Sequence, residues 1–92
     1  MRSRVHFRVA GRVQGIGYRF FVQETAGRLR VDGWVRNLPD GDVEGEAEAE
    51  PDVLESFFKE LKTGHRWASV ASIKTEPAGR VAGEGEGFSI TR

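Results

Sequence analysis

Nine consecutive residues near the N-terminus have the composition of an anion-binding loop: Gly11, Arg12, Val13, Gln14, Gly15, Ile16, Gly17, Tyr18 and Arg19. Glycine lets the backbone curl so that successive N–H groups point into one concavity, with no Cβ to obstruct it. Such a nest, opening onto a helix N-terminus, suits a phosphate. The Arg19 guanidinium can grip two phosphate oxygens at once. Glycine-rich turns between strand and helix are also common without any ligand, so the spacing alone leaves both readings open. No Gly-Lys-Ser/Thr follows, which excludes a Walker A loop, and the Gly-x-Gly-x-x-Gly dinucleotide spacing is absent.

A second unusual run is Gly33, Trp34, Val35, Arg36 and Asn37. Asn37 stands near the end of a strand pattern, where a β-branched residue would be favoured. One reading is a turn asparagine leading into Leu38, Pro39, Asp40 and Gly41. The other is a side-chain amide that holds a water beside a phosphate in the first loop. Right-handed crossover geometry would bring the two stretches together.

The elements that must position these residues follow from periodicity. Residues 4–10 alternate, with Val5, Phe7 and Val9 on one face, as in a half-buried strand. From Tyr18 a helical stripe runs through Phe21, Val22, Thr25, Ala26 and Leu29, leaving Phe20 off it, near the loop or partly exposed. Residues 31–38 and 42–50 read as a hairpin about the Pro39-Asp40-Gly41 turn. In its second strand Val43, Gly45, Ala47 and Ala49 share one face. Glu44, Glu46 and Glu48 are expected on a solvated outer face, paired with Arg8 and Arg36. Pro51 opens a second helix with Val53, Leu54, Phe57, Phe58 and Leu61 inward, stopped at Gly64. A strand over 69–76 uses Val70 or Ala71 together with Ile73, its face unassigned. A loop over 77–87 and a short strand bearing Phe88 and Ile90 close the chain. The order predicts an α+β fold of the ferredoxin-like α/β sandwich type, βαββαβ plus a terminal strand. Two helices are expected on one face of an antiparallel sheet.

Composition narrows the chemistry. Ninety-two residues suit one domain over 1–92, without a deep pocket for a large cofactor. Fourteen basic and 14 acidic residues cancel, so an anion site must be local. There is no cysteine, which removes disulfides, thiolate nucleophiles and cysteine metal sites, and the two histidines cannot build a structural zinc site. No metal or cofactor is expected. No run approaches the roughly 18 apolar residues of a membrane span, so a cytoplasmic monomer without membrane or nucleic-acid partners is expected.

The loop from Gly11 to Arg19 resembles the first signature of the acylphosphatases. Gly33-Trp34-Val35-Arg36-Asn37 with Gly41-Asp42-Val43 is similar to their second. The likeness extends over nearly the whole chain, through the final Phe-x-Ile strand. It implies a five-stranded antiparallel sheet and hydrolysis of the carboxyl–phosphate bond of a small acylphosphate, with inorganic phosphate as product. By the same resemblance the backbone of Gln14, Gly15, Ile16, Gly17, Tyr18 and Arg19 binds phosphate. Arg19 and Asn37 are then the catalytic pair. Ile16 and Tyr18 replace the family's usual valine and phenylalanine, Ala49 a glycine, and Arg30 a glycine that often ends the first helix. If Arg30 is left-handed it costs about 1 kcal/mol. No acyl-group pocket is identifiable in the sequence.

Two rivals are weighed. A non-catalytic anion- or RNA-binding ferredoxin-like module is suggested by the aromatic run Gly15-Ile16-Gly17-Tyr18-Arg19-Phe20-Phe21-Val22. RNA-recognition aromatics, however, must lie on a central strand with their rings on the open sheet face. A maturation domain cut from a larger protein is the other rival. Met1 and the lack of cysteine favour a free-standing enzyme.

Overall fold

The alternation around Phe7 is realised in β1 (Ser3–Arg12), the first of five strands in the computed structural model, which describes residues 1–83 and 85–92. There follow α1 (Tyr18–Leu29), β2 (Asp32–Asn37), β3 (Val43–Ala49), α2 (Pro51–Thr63), β4 (Ser69–Pro77) and β5 (Phe88–Ile90). The element order is the one the sequence predicts. Among the described residues, no helix is long and apolar enough to cross a membrane.

The strands lie in the order β4-β1-β3-β2-β5. β1 is antiparallel to both β3 and β4, and β2 to β3, whereas β5 is parallel to β2. The sheet is therefore mixed, where an antiparallel one was expected. β4 ends at the sheet end opposite the glycine loop. The chain crosses there through residues 78–87, apart from the undescribed residue 84, and β5 must run back in the direction of β2. This reversal carries the C-terminus to the end of the sheet where the glycine loop lies.

Both helices cover one face. Phe7, Val9, Val35, Val43 and Ala47 from the sheet share a single core with Val22 and Ala26 of α1 and Leu54, Phe57 and Leu61 of α2. Phe7 meets Phe57 and Phe58 edge-on, at centroid distances of 6.1 and 5.5 Å. Phe7→Ala in such a site costs about 3–5 kcal/mol. α2 follows its predicted stripe and is capped at Gly64. α1 ends at Arg30, which is left-handed (φ 61°, ψ 46°), the case the sequence left conditional.

β1 and β4 keep an even register up to Ala10↔Ser72 and then jump to Gly11↔Val70, leaving Ala71 without a partner. This bulge reverses the side-chain parity of β4. Val70 and Ile73, three residues apart, can therefore both pack on the core, which settles the face the sequence left open. Only glycine fits at position 11: a Cβ there would lie 2.1 Å from the Ser69 carbonyl oxygen.

The outer face departs from expectation. Arg36 does pair with Glu44, and His6 Nε2 lies 3.0 Å from the same carboxylate. Arg8, directly opposite Glu44, instead reaches past the strand to Asp42 (2.7 Å) and Asp40. Arg4 takes Glu46 at 2.7 Å. Glu48 is not solvated at all, with 0% of its surface exposed. Residues 78–83 fold over it, so that the amides of Ala82 and Gly83 donate to its oxygens at 2.6 and 2.8 Å. Arg4 Nη1 and Arg2 Nε donate from the other side at 3.0 and 3.3 Å. Burial pushes this carboxyl up, but the Ala82 amide, Arg4, the Gly83 amide and Arg2 outweigh it and hold it at about 2. A buried carboxylate satisfied on every side ties the long loop to the sheet.

Candidate active site

The glycine loop leaves the bulged end of β1 and enters α1 through two left-handed glycines, Gly15 (φ 77°) and Gly17 (φ 77°, ψ 20°). A Cβ at either would meet nothing within 4 Å, so the constraint is the backbone angle, not the space. A non-glycine there would distort the curl that aims the amides. No side chain caps α1 and no acidic residue stands in its first turn. Among the described residues, no protein acceptor takes the amides of residues 15–20. The positive end of the helix is thus left open to an outside anion.

Three contacts hold the loop in place. Gln14 Nε2 donates to the carbonyls of Leu38 and Asp42, both at 2.8 Å, which ties the loop to the β2–β3 turn. The Tyr18 hydroxyl donates to the Leu61 carbonyl at 2.7 Å in the interior, fastening the start of α1 to the end of α2. Burial pushes that hydroxyl's pKa up, so it stays a donor. Val13, between the loop and the core, is buried. Of the residues predicted to bind phosphate, Gln14 and Tyr18 therefore have side chains engaged in the scaffold. Only their backbones are available to a ligand. The clamping role of Gln14 carries no signal in the sequence, because the carbonyls it binds lie 24 and 28 residues away.

Arg19 is the second residue of α1 and half-buried. Its Nη1 lies 3.5 Å from the Thr91 carbonyl, and among the described residues it has no carboxylate partner. Thr91 N in turn donates to the Val35 carbonyl at 2.8 Å. Arg19 is thereby tethered beside the C-terminal end of β2, two residues short of Asn37. Asn37 ends that strand opposite Val43, on the helix-side face. Its Oδ1 is buried and has no hydrogen-bond partner among the described residues. An unpaired amide oxygen in the interior costs about 1–3 kcal/mol. Such a cost is tolerated where a ligand or water supplies the missing donor.

The two stretches singled out in the sequence thus meet at one end of the sandwich, with glycine loop, helix N-terminus, Arg19 and Asn37 around it. The RNA-module reading does not fit this arrangement. Its aromatic run lies in the loop and α1, with Tyr18 buried and Phe21 packed on the core, while the open sheet face is filled by ion pairs. Among the described residues, no cluster of three or more His, Cys, Asp or Glu side chains is arranged to hold a metal ion.

Comparison with known proteins agrees with the geometry. The acylphosphatase family model matches residues 5–90. An acylphosphatase of Salinibacter ruber is 44% identical over 90 residues, covering 98% of this chain and 94% of its own. One from Methanospirillum hungatei is 49% identical over 66 residues, 72% of each chain. The crystal structure of the Bacillus subtilis acylphosphatase superposes with a TM-score of 0.90 at 37% identity, over the whole of both chains. With the family model matched from β1 to β5, and a near-complete relative sharing over two-fifths of its residues, the chain belongs to the acylphosphatase family.

Proposed function

We propose that the chain hydrolyses acylphosphates to a carboxylate and inorganic phosphate at the end of the sheet where the glycine loop meets Asn37. The observation that carries this reading is the pairing of an open, uncapped cradle with a buried, unpartnered amide oxygen beside it. The backbone amides of residues 14–19 hold the phosphoryl oxygens, and the Arg19 guanidinium grips two of them. Asn37 Oδ1 accepts a hydrogen bond from the attacking water and aims its oxygen at phosphorus. The new P–O bond forms as the bond from phosphorus to the acyl oxygen breaks, and that electron pair leaves on the carboxylate. The water's proton passes to a phosphoryl oxygen. A carboxylate is already a stable anion near neutral pH, so no general acid is required. Charge in the loose transition state spreads over the equatorial oxygens, so positioning and fixed positive dipoles supply the catalysis. The enzyme is proposed to act as a monomeric single domain of the cytoplasm, with no cofactor and no nucleic-acid or membrane partner.

Phosphate release from benzoyl phosphate, measured with EDTA present, tests the reading. Wild-type protein should turn the substrate over. Arg19→Lys keeps the charge but loses the planar fork, and should lower kcat about 1,000-fold, the scale of losing a key transition-state donor. Near-normal kinetics in that variant would overturn the assignment.

A further inference from the structure

Phe20 has no part in the fold. It lies off the core stripe of α1 and is 70% exposed, immediately after Arg19. It lines a surface groove with Gly17, Phe21, Gln23, Glu24 and His65. The groove begins at Gly17, the last glycine of the cradle and the N-cap of α1. Its far wall is built of fixed rings. His65 meets Phe21 edge-on at 5.3 Å and Tyr18 at a tilt at 5.8 Å, and the Trp67 amide donates to its Nδ1 at 3.1 Å. Gln23 is occupied elsewhere, donating to the Phe88 carbonyl at 3.0 Å. Among the described residues lining the groove, Glu24, one helical turn beyond Phe20, supplies the one carboxylate.

We infer that this groove is the acyl-group subsite, selecting apolar or aromatic acyl groups without a second negative charge. The inference rests on the hydrolysis proposed above. In an acylphosphate a single bridging oxygen joins phosphorus to the acyl carbon. With the phosphoryl group in the cradle, the acyl group must therefore lie against the cradle's immediate surroundings. In-line attack from the Asn37 side directs the leaving group away from β2, and the groove opening at Gly17, lined by both aromatic and polar side chains, adjoins the cradle on the α1 side. Phe20 on one bank and the Phe21–His65 wall on the other offer aromatic surface to a ring. Glu24 would repel a terminal carboxylate on the acyl chain.

Steady-state kinetics on three substrates tests this. Acetyl phosphate carries too small an acyl group to fill the groove and serves as the internal reference. In Phe20→Ala the ratio of kcat/KM for benzoyl phosphate to that for acetyl phosphate should fall about tenfold, the scale on which hydrophobic contacts discriminate substrates. Most of the change should appear in KM, and Phe20→Leu should recover part of it. The melting temperature should not move, since the side chain is outside the core. Glu24→Gln should raise kcat/KM for succinyl phosphate several-fold relative to acetyl phosphate. An unchanged ratio in Phe20→Ala, with wild-type protein active on both reference substrates, overturns the subsite and leaves the hydrolysis standing. Failure of the wild-type protein on all three overturns the hydrolysis itself.

Discussion

The Arg2–Arg4 end of the sheet and the glycine loop at the other end treat charge in opposite ways. On the outer face, toward the end where residues 78–87 cross, Arg2 and Arg4 are met by Asp32, Glu46, Glu48 and Glu86. Even the fully buried Glu48 is satisfied by two guanidiniums and two amides. At the opposite end Arg19 has no carboxylate partner among the described residues, the α1 amides are uncapped, and Asn37 Oδ1 is buried without a donor. Saturated polar groups hold the fold together, and unsaturated ones held in place by their neighbours are where we propose that the ligand binds. The same residue type, arginine, serves both ends. What distinguishes them is whether the surrounding chain supplies the counter-charge.

Substitutions can break this contrast at either end. The largest effect should be the roughly 1,000-fold loss of kcat in Arg19→Lys, with stability unchanged because no carboxylate among the described residues depends on Arg19. Glu48→Gln should act in reverse. Losing one partner of a buried ion-pair cluster should cost about 3 kcal/mol in chemical denaturation. The kcat of the remaining folded protein should stay near wild type, because Glu48 lies at the far end of the sheet from the loop. The pH dependence has a definite sign. Glu48 is held at about 2 in the folded protein against an ordinary 4.5, so its stabilisation is complete above about 4.5. It is lost progressively as pH falls toward 2. Denaturation midpoints measured across that window should slope for the wild type and flatten for Glu48→Gln.

Asn37→Ala should lower kcat about 100-fold while leaving the affinity for inorganic phosphate, read by calorimetry, nearly intact. Because it deletes an unpaired buried oxygen, it should not destabilise the protein as burial alone would suggest. A parallel loss of phosphate affinity would mean that Asn37 belongs to the cradle and not to the water. The smallest effect is at Arg30. Relieving a left-handed non-glycine by Arg30→Gly should stabilise the protein by about 1 kcal/mol. That corresponds to a rise of about 4–8 °C in melting temperature for a domain of this size.

Much of this molecule is legible from residue order because local rules operate there. Period-two alternation around Phe7 and Val43, the helical stripes beginning at Tyr18 and Val53, and the Pro39-Asp40-Gly41 turn specify strands, helices and hairpin through contacts between near neighbours. The glycines of the loop announce a backbone conformation that few other residues adopt, and Arg19 beside them announces an anion. The sequence also places Asn37 at a strand end, but not what surrounds it.

Only the tertiary structure decided the rest, since it depends on residues far apart in the chain. The parity of β4 turns on one unpaired residue in the register with β1, which no periodicity of β4 itself reveals. The direction of β5 depends on where β4 ends. That direction brings Thr91 to Arg19 across 72 residues. Glu48 reads as one of three equivalent outward glutamates until a loop 34 residues later folds over it and replaces water with two amides. Gln14 looks like part of a cradle, and its side chain proves to be the clamp that fixes the cradle to the β2–β3 turn. Composition and spacing determined which groups could do chemistry. Packing decided which of them were neutralised and which were left free, because desolvation and counter-charge belong to the folded surroundings of a residue and not to its neighbours in sequence.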